Sequence, residues 1–250
     1  MANDILIAII LTTLAGLATG IGSLISYFIP KPDTRLLSVS LGFATGVMIF
    51  VAFVDLYCAS KDMIGLRLTN LFFLSGMLFI HLFDRLIPHI HLNGQVDSHC
   101  DRLYRGGIMV LIGIAIHNLP EGLTVALVSL ADIKLGISIA LAIALHNIPE
   151  GIACGVPFYC ATGNKRRSCF YSLLAGMTEP LGAIIALFIL YPFLNDFVLA
   201  SAIAFVAGIM VIICFDELIP IANNYGDEHL TNTGIIAGFF VMIIVLSILY

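Results

Sequence analysis

Eight apolar runs, each close to the ~20 residues an α-helix needs to cross a bilayer, account for nearly all of this 250-residue chain. They fall at about 4–29, 36–58, 68–88, 106–130, 135–160, 169–191, 198–222 and 233–250, with short linkers between them. Hydrocarbon offers no water to a backbone N–H or C=O, so each run must satisfy its own hydrogen bonds and is read as a helix. Charged residues make up 11% of the chain, against about 25% in a soluble domain. The expected fold is all-α: a polytopic membrane helix bundle of eight transmembrane helices. Residues 1–250 then form a single transmembrane domain, with a His-containing cytoplasmic loop at about 89–105 and no room for a separate soluble unit.

Orientation follows from Lys and Arg, which accumulate on the cytoplasmic side. With the N-terminus outside, that side holds Lys31, Arg35, Arg85, Arg102, Arg105, Lys165, Arg166 and Arg167, and the other side only Lys61, Arg67 and Lys134. Both termini are therefore expected outside a cell (inner) membrane. The apolar run from Ile5 to Ile29 lacks a basic leader and exceeds a signal core, so it reads as a retained first span. No basic patch with interleaved aromatics suggests nucleic acid. Six cysteines without a CxxC pair read as packing residues rather than a disulfide frame.

Two adjacent spans carry nearly the same six residues: His117-Asn118-Leu119-Pro120-Glu121-Gly122 and His146-Asn147-Ile148-Pro149-Glu150-Gly151. In each, His and Glu are four apart and share one helix face. The only polar break between the motifs is Ala131-Asp132-Ile133-Lys134, so the two spans form an antiparallel hairpin. Reflection about 133.5 pairs Glu121 with His146 and His117 with Glu150, each pair at equal depth near the midplane. Two imidazoles and two carboxylates converging there make a candidate divalent-metal site. Pro120 and Pro149 free the carbonyls of Ile116 and Leu145, loosening each helix beside its own candidate ligands.

Other intramembrane polar residues are weighed one by one. Glu179, beside Pro180 in the sixth span, is level with Glu150 by reflection about 164.5, within the Asn164-Lys165-Arg166-Arg167 loop, and is a candidate third carboxylate. Met48, near mid-depth in the second span, reads first as filler. Asp55, toward the outer end of that span, is either an outer-mouth cation attractor or a simply exposed helix end. His81 reads as a hydrogen-bonded helix residue, Asp84-Arg85 as an interfacial ion pair, and Asp216-Glu217 as a helix-end face or an exit-pathway element. The loop bearing His89, His91, Asp97, His99, Cys100 and Asp101 is either solvated or a low-affinity metal stop. Gly16 and Gly20, Gly42 and Gly46, and Gly234 and Gly238 are spaced for close helix packing.

HNLPEG and HNIPEG in adjacent spans resemble the signature of the ZIP (Zrt-, Irt-like) metal transporters, in the bacterial branch of that family. The resemblance extends through Ser40-Leu41-Gly42-Phe43-Ala44, Ala161-Thr162-Gly163, Ala207-Gly208-Ile209-Met210 and Asp216-Glu217-Leu218. It implies eight spans with inverted repeats, both termini outside, and a two-metal site. One metal would use His117, Glu121, His146 and Glu150 with Met48 nearby. The other would use Asn118, Asn147 and Glu179, with Glu121 and Glu150 bridging. It also implies uptake of Zn2+ into the cytoplasm by alternating access, a bundle including spans 4 and 5 sliding against the rest.

Fe2+, Mn2+, Co2+ and Cd2+ are further expected cargoes, and no organic cofactor or catalytic residue is expected. The partners are divalent ions and the lipid bilayer, and a homodimer is compatible with the pattern. Two alternatives stay open at this point: a membrane-embedded metal-dependent hydrolase, with water activated at an open metal position, and a metal receptor.

Overall fold

The computed structural model describes residues 2–26, 28, 34–86, 99–193 and 195–249, and it is all-α. Helix α1 spans Ala2–Ser26, and α2 spans Thr34–Phe50 before widening into a π-helical stretch, Val51–Tyr57. Helix α3 follows directly at Cys58–Leu86. The central pair is α4 (His99–Ala131) and α5 (Ile133–Thr162). Next come α6 (Lys165–Gly176) and α7 (Thr178–Ile185), broken apart at Met177. Helix α8 (Asp196–Ile213) leads through a second π-helical stretch (Cys214–Leu218) into α9 (Ile219–Tyr225), and α10 (Glu228–Leu249) closes the bundle.

The outside of this bundle is oily and its inside carries hydroxyls. On α1, Leu6, Ile10, Leu14, Leu17, Ile21 and Leu24 form one exposed stripe at three- and four-residue spacing, while Thr12, Thr19 and Ser23 are buried. That is the distribution hydrocarbon solvent imposes. Six helical stretches among the described residues are long and apolar enough to cross a membrane. One of them, Arg35–Leu82, covers 48 residues. Straight, it would reach about 72 Å, more than twice a ~30 Å hydrocarbon core.

It is not straight. Gly65 has φ 78° and ψ 161°, a backbone state open essentially to glycine alone. Ser60 and Thr69 hydroxyls then lie 3.1 Å apart, and the Tyr57 hydroxyl donates to Asn70 Oδ1. Nine helical residues would otherwise separate Ser60 and Thr69 by about 13 Å. The expected second and third spans are therefore two antiparallel rods, but the expected nine-residue linker between them is helical up to a single reversing glycine.

Other boundaries shift toward capping side chains. Asn195 Oδ1 accepts from Val198 N at 3.0 Å and starts α8 before the apolar run begins, and Asp227 Oδ1 accepts from Leu230 N at 2.9 Å to start α10 early. Helix α4 begins at His99, so the final stretch of the expected 89–105 loop is helical. His89, His91 and Asp97 lie outside the described residues, as do the side chains of His99, Cys100 and Asp101. The side chains of Asp84 and Arg85 lie outside them too.

The helices fall into two groups. Helix α1 packs along α5 and α6, and α4 packs along α5 and α7. In the other group α2 packs along α10 and α9, and α3 along α8. The groups meet chiefly where α2 faces α5 and α4 faces α8. Close backbone approaches at the described glycines all fall inside a group. A Cβ on Gly151 would strike the Thr19 carbonyl, one on Gly122 the Glu179 carbonyl, one on Gly42 the Thr231 carbonyl and one on Gly76 the Phe205 carbonyl. Glycine thus locks each group internally and, among the described residues, leaves the seam between them to larger side chains. Gly151→Ala is expected to destabilise the protein by roughly 1–3 kcal/mol through overpacking, read as a lower unfolding midpoint in detergent.

Candidate metal centre

Asp132 folds the central hairpin. It is the only residue between α4 and α5, and its side chain caps α5 by accepting from Lys134 N at 2.8 Å and Leu135 N at 3.2 Å. With so tight a turn, the two helices run back side by side, and residues equidistant from it meet. Both helices pass through Pro120 and Pro149 without a break, so the expected loosening does not interrupt either one. The interruption occurs instead in the facing element, between α6 and α7 at Met177, just ahead of Glu179-Pro180.

Glu121, His146, Glu150, Asn118, Asn147 and Glu179 are all fully buried, and so is Met48 on α2. His146 Nε2 lies 3.2 Å from Glu121 Oε2, a contact in which the imidazole N–H donates to the carboxylate. Beside it, Asn147 Nδ2 donates to Glu179 Oε1, bringing α5 against the start of α7. Glu121 Oε1 and Glu179 Oε2 have no hydrogen-bond partner. The His117 side chain lies outside the described residues. Among those described, no three His, Cys, Asp or Glu side chains gather within one ion's reach; the contacts are a His–Glu pair and an Asn–Glu pair.

The two asparagines play matching parts. Asn118 Nδ2 donates to the Ala175 carbonyl at 3.3 Å, and Asn147 Nδ2 donates to the Ala15 carbonyl at 2.9 Å. Ala175 sits just before the helix break, where its carbonyl also accepts from Thr178 Oγ1 at 2.6 Å. A carbonyl can face only the nitrogen of an amide, so each asparagine is oriented with its Oδ1 left over. Both Oδ1 atoms are buried without a partner. An oxygen donor held in that way can serve a hard or borderline cation.

Sequence reasoning did not foresee these carbonyl anchors, since nothing in a motif tells which neighbouring carbonyl will be within reach. It also read His81 and Asp216 separately, whereas His81 Nδ1 lies 3.7 Å from Asp216 Oδ2, both half-exposed. Their common depth, at matching ends of two spans expected to run in the same direction, was the available signal. The Glu217 side chain lies outside the described residues. Cys154 and Cys214 are buried free thiols, with Cys58 and Cys169 partly so.

A family model described as "ZIP Zinc transporter" matches residues 91–246 of this chain. The chain is 44% identical to "Zinc transporter ZupT" of Streptococcus mutans over 97% of both sequences. It is 42% identical to the Akkermansia muciniphila protein of that name over 98% of both, and 42% identical to the Lysinibacillus sphaericus one over their full lengths. The chain belongs to the ZIP family. A ZIP protein is a transporter and not an enzyme, which removes the hydrolase reading. With its apolar helices, this ZIP chain is a multi-pass membrane protein.

The Asn147–Glu179 contact joins two elements of the buried centre directly. Asn147→Ala and Glu179→Ala are expected to be non-additive in metal-free thermal stability, with a coupling of roughly 0.5–3 kcal/mol in a double-mutant cycle.

Proposed function

We propose that this chain carries Zn2+ across the cell inner membrane into the cytoplasm, through a midplane site at the α4–α5 hairpin. The observation that carries the reading is the fully buried His146–Glu121 contact, with Asn147–Glu179 beside it. Ionisable groups so placed in a membrane bundle are costly unless something of opposite charge offsets them. The names of the similar proteins make zinc the first cargo to consider. Imidazole and carboxylate donors suit Zn2+, and also admit Fe2+, Mn2+, Co2+ and Cd2+.

The first metal is assigned to His117, Glu121, His146 and Glu150, with Met48 approaching from α2. The second is assigned to Asn118, Asn147 and Glu179, with Glu121 and Glu150 bridging. The leftover Oδ1 atoms of both asparagines and the unpaired Glu179 Oε2 support the second assignment. Ligands bind metal only when deprotonated, so the ion takes the place of the His146–Glu121 contact, and occupancy falls with acidity.

The helices cross eight times with both termini outside. Two of the crossings come from the segment folded at Gly65. Transport proceeds by alternating access, with the group containing α4 and α5 sliding against the group containing α2, α3, α8 and α10. Glycine locks inside each group and their absence from the described seam support this motion, because a seam without interlocked backbones can slip.

Purified protein in liposomes should take up zinc. Glu121→Ala and His146→Ala should abolish uptake, a loss of at least tenfold, while each variant keeps a cooperative unfolding transition. Iron, manganese, cobalt and cadmium should each compete. Wild-type flux in both variants would remove these residues from the path.

A further inference from the structure

A cavity of about 220 Å³ opens on the seam between the two helix groups. Its walls include Asp55 and Cys58 from the α2–α3 rod, Val128 from α4, Ile139 from α5 and Ile203 from α8. Three helices give its depth independently. Val128 is seven residues from Glu121, Ile139 is seven from His146, and Asp55 is seven from Met48. Seven helical residues rise about 10 Å, so the cavity sits two turns from the buried centre on all three. It lies on the side of the α4–α5 turn, the face that the Lys and Arg distribution assigns to the outside.

We propose that this cavity is an outer vestibule in which a divalent cation is held with its hydration shell, and that Asp55 is the residue that attracts it. The inference rests on the transport reading above. Size supports it: six waters at about 30 Å³ each need about 180 Å³, which the cavity provides.

Charge supports it as well. Asp55 is half-buried, and among the described residues its carboxylate has no hydrogen bond or ion pair. The second acid on the wall, Asp62, is spoken for: it lies 3.5 Å from Lys61 Nζ and its side chain is 75% exposed. The remaining walls are mostly aliphatic, through Val54, Leu56, Val128, Leu135, Ile139 and Ile203. Low-dielectric walls around a single carboxylate focus its field on the space between them and raise the local cation concentration.

Local backbone explains how an acid in an apolar run comes to face this space. Asp55 lies inside the π-helical stretch Val51–Tyr57, where the widened turn shifts side chains around the axis. Phe53 is left exposed outside the cavity, and Asp55 lines it. Asp55 thus differs in role from the buried ligands. It acts before dehydration, through the field, and its removal should slow capture without slowing translocation.

The test is zinc uptake by the full-length protein in liposomes, with initial rates measured against free Zn2+ at two ionic strengths. Asp55→Asn is expected to raise KM roughly tenfold, with kcat within twofold of wild type. Asp55→Glu should restore KM, and Asp62→Asn should change it less than twofold. The dependence of kcat/KM on salt should flatten in Asp55→Asn, because the screened charge is gone. A wild-type KM and salt slope in Asp55→Asn would overturn the vestibule. So would a loss confined to kcat, which marks a structural role for the π-helical turn. Wild-type protein that moves no zinc would instead overturn the transport reading itself.

Discussion

A carboxylate in hydrocarbon must be neutralised, hydrogen-bonded or shielded from lipid by protein, and this bundle buries Glu121, Glu150 and Glu179 together. Most of the architecture follows from accommodating them. The one-residue turn at Asp132 lets α4 and α5 return side by side, so that Glu121 finds His146. The break at Met177 lets Glu179 approach Asn147, and Asn118 occupies the carbonyl left exposed there. An arrangement with leftover buried oxygens on Glu121, Asn118, Asn147 and Glu179 is a poor way to stabilise a static fold and a good way to receive a cation.

Division of the bundle into two glycine-locked groups sets that centre beside a seam. The motif-bearing helices α4 and α5 sit in one group with α1, α6 and α7, and Met48 sits in the other, on α2. On the proposed ligand assignment, with Met48 approaching from α2, the seam runs through the site rather than around it. Under the proposed mechanism, an ion bound on one group would meet a different set of neighbours as the groups shift, which is what alternating access requires. The cavity at Asp55 lies on the same seam, which explains why a wall of α4 and α5 residues faces a wall from α3 and α8.

Much of this was legible in the residues. The fold class followed from eight apolar runs, because lipid leaves a backbone no other choice. The contact between Glu121 and His146 followed from a midpoint, because a tight turn fixes which residues of two antiparallel helices share a depth. Boundaries were less legible. Asn195 and Asp227 lengthen their helices beyond the hydropathy limits, and Gly65 replaces a loop, since capping and reversal depend on one side chain or its absence. Contacts between spans distant in sequence were the least legible. Asn118 with Ala175 and Asn147 with Ala15 are set by packing of rods whose rotation hydropathy does not specify, and of His81 with Asp216 only the common depth could be read.

The central claim is that a divalent ion takes imidazole and carboxylate ligands from the paired motifs on α4 and α5. X-ray absorption at the zinc edge of the loaded protein reads those ligands directly. The account predicts a nitrogen and oxygen shell at about 2.0–2.1 Å with outer-shell imidazole scattering, reduced in His146→Ala. A shell without imidazole, or one unchanged in that variant, would contradict it.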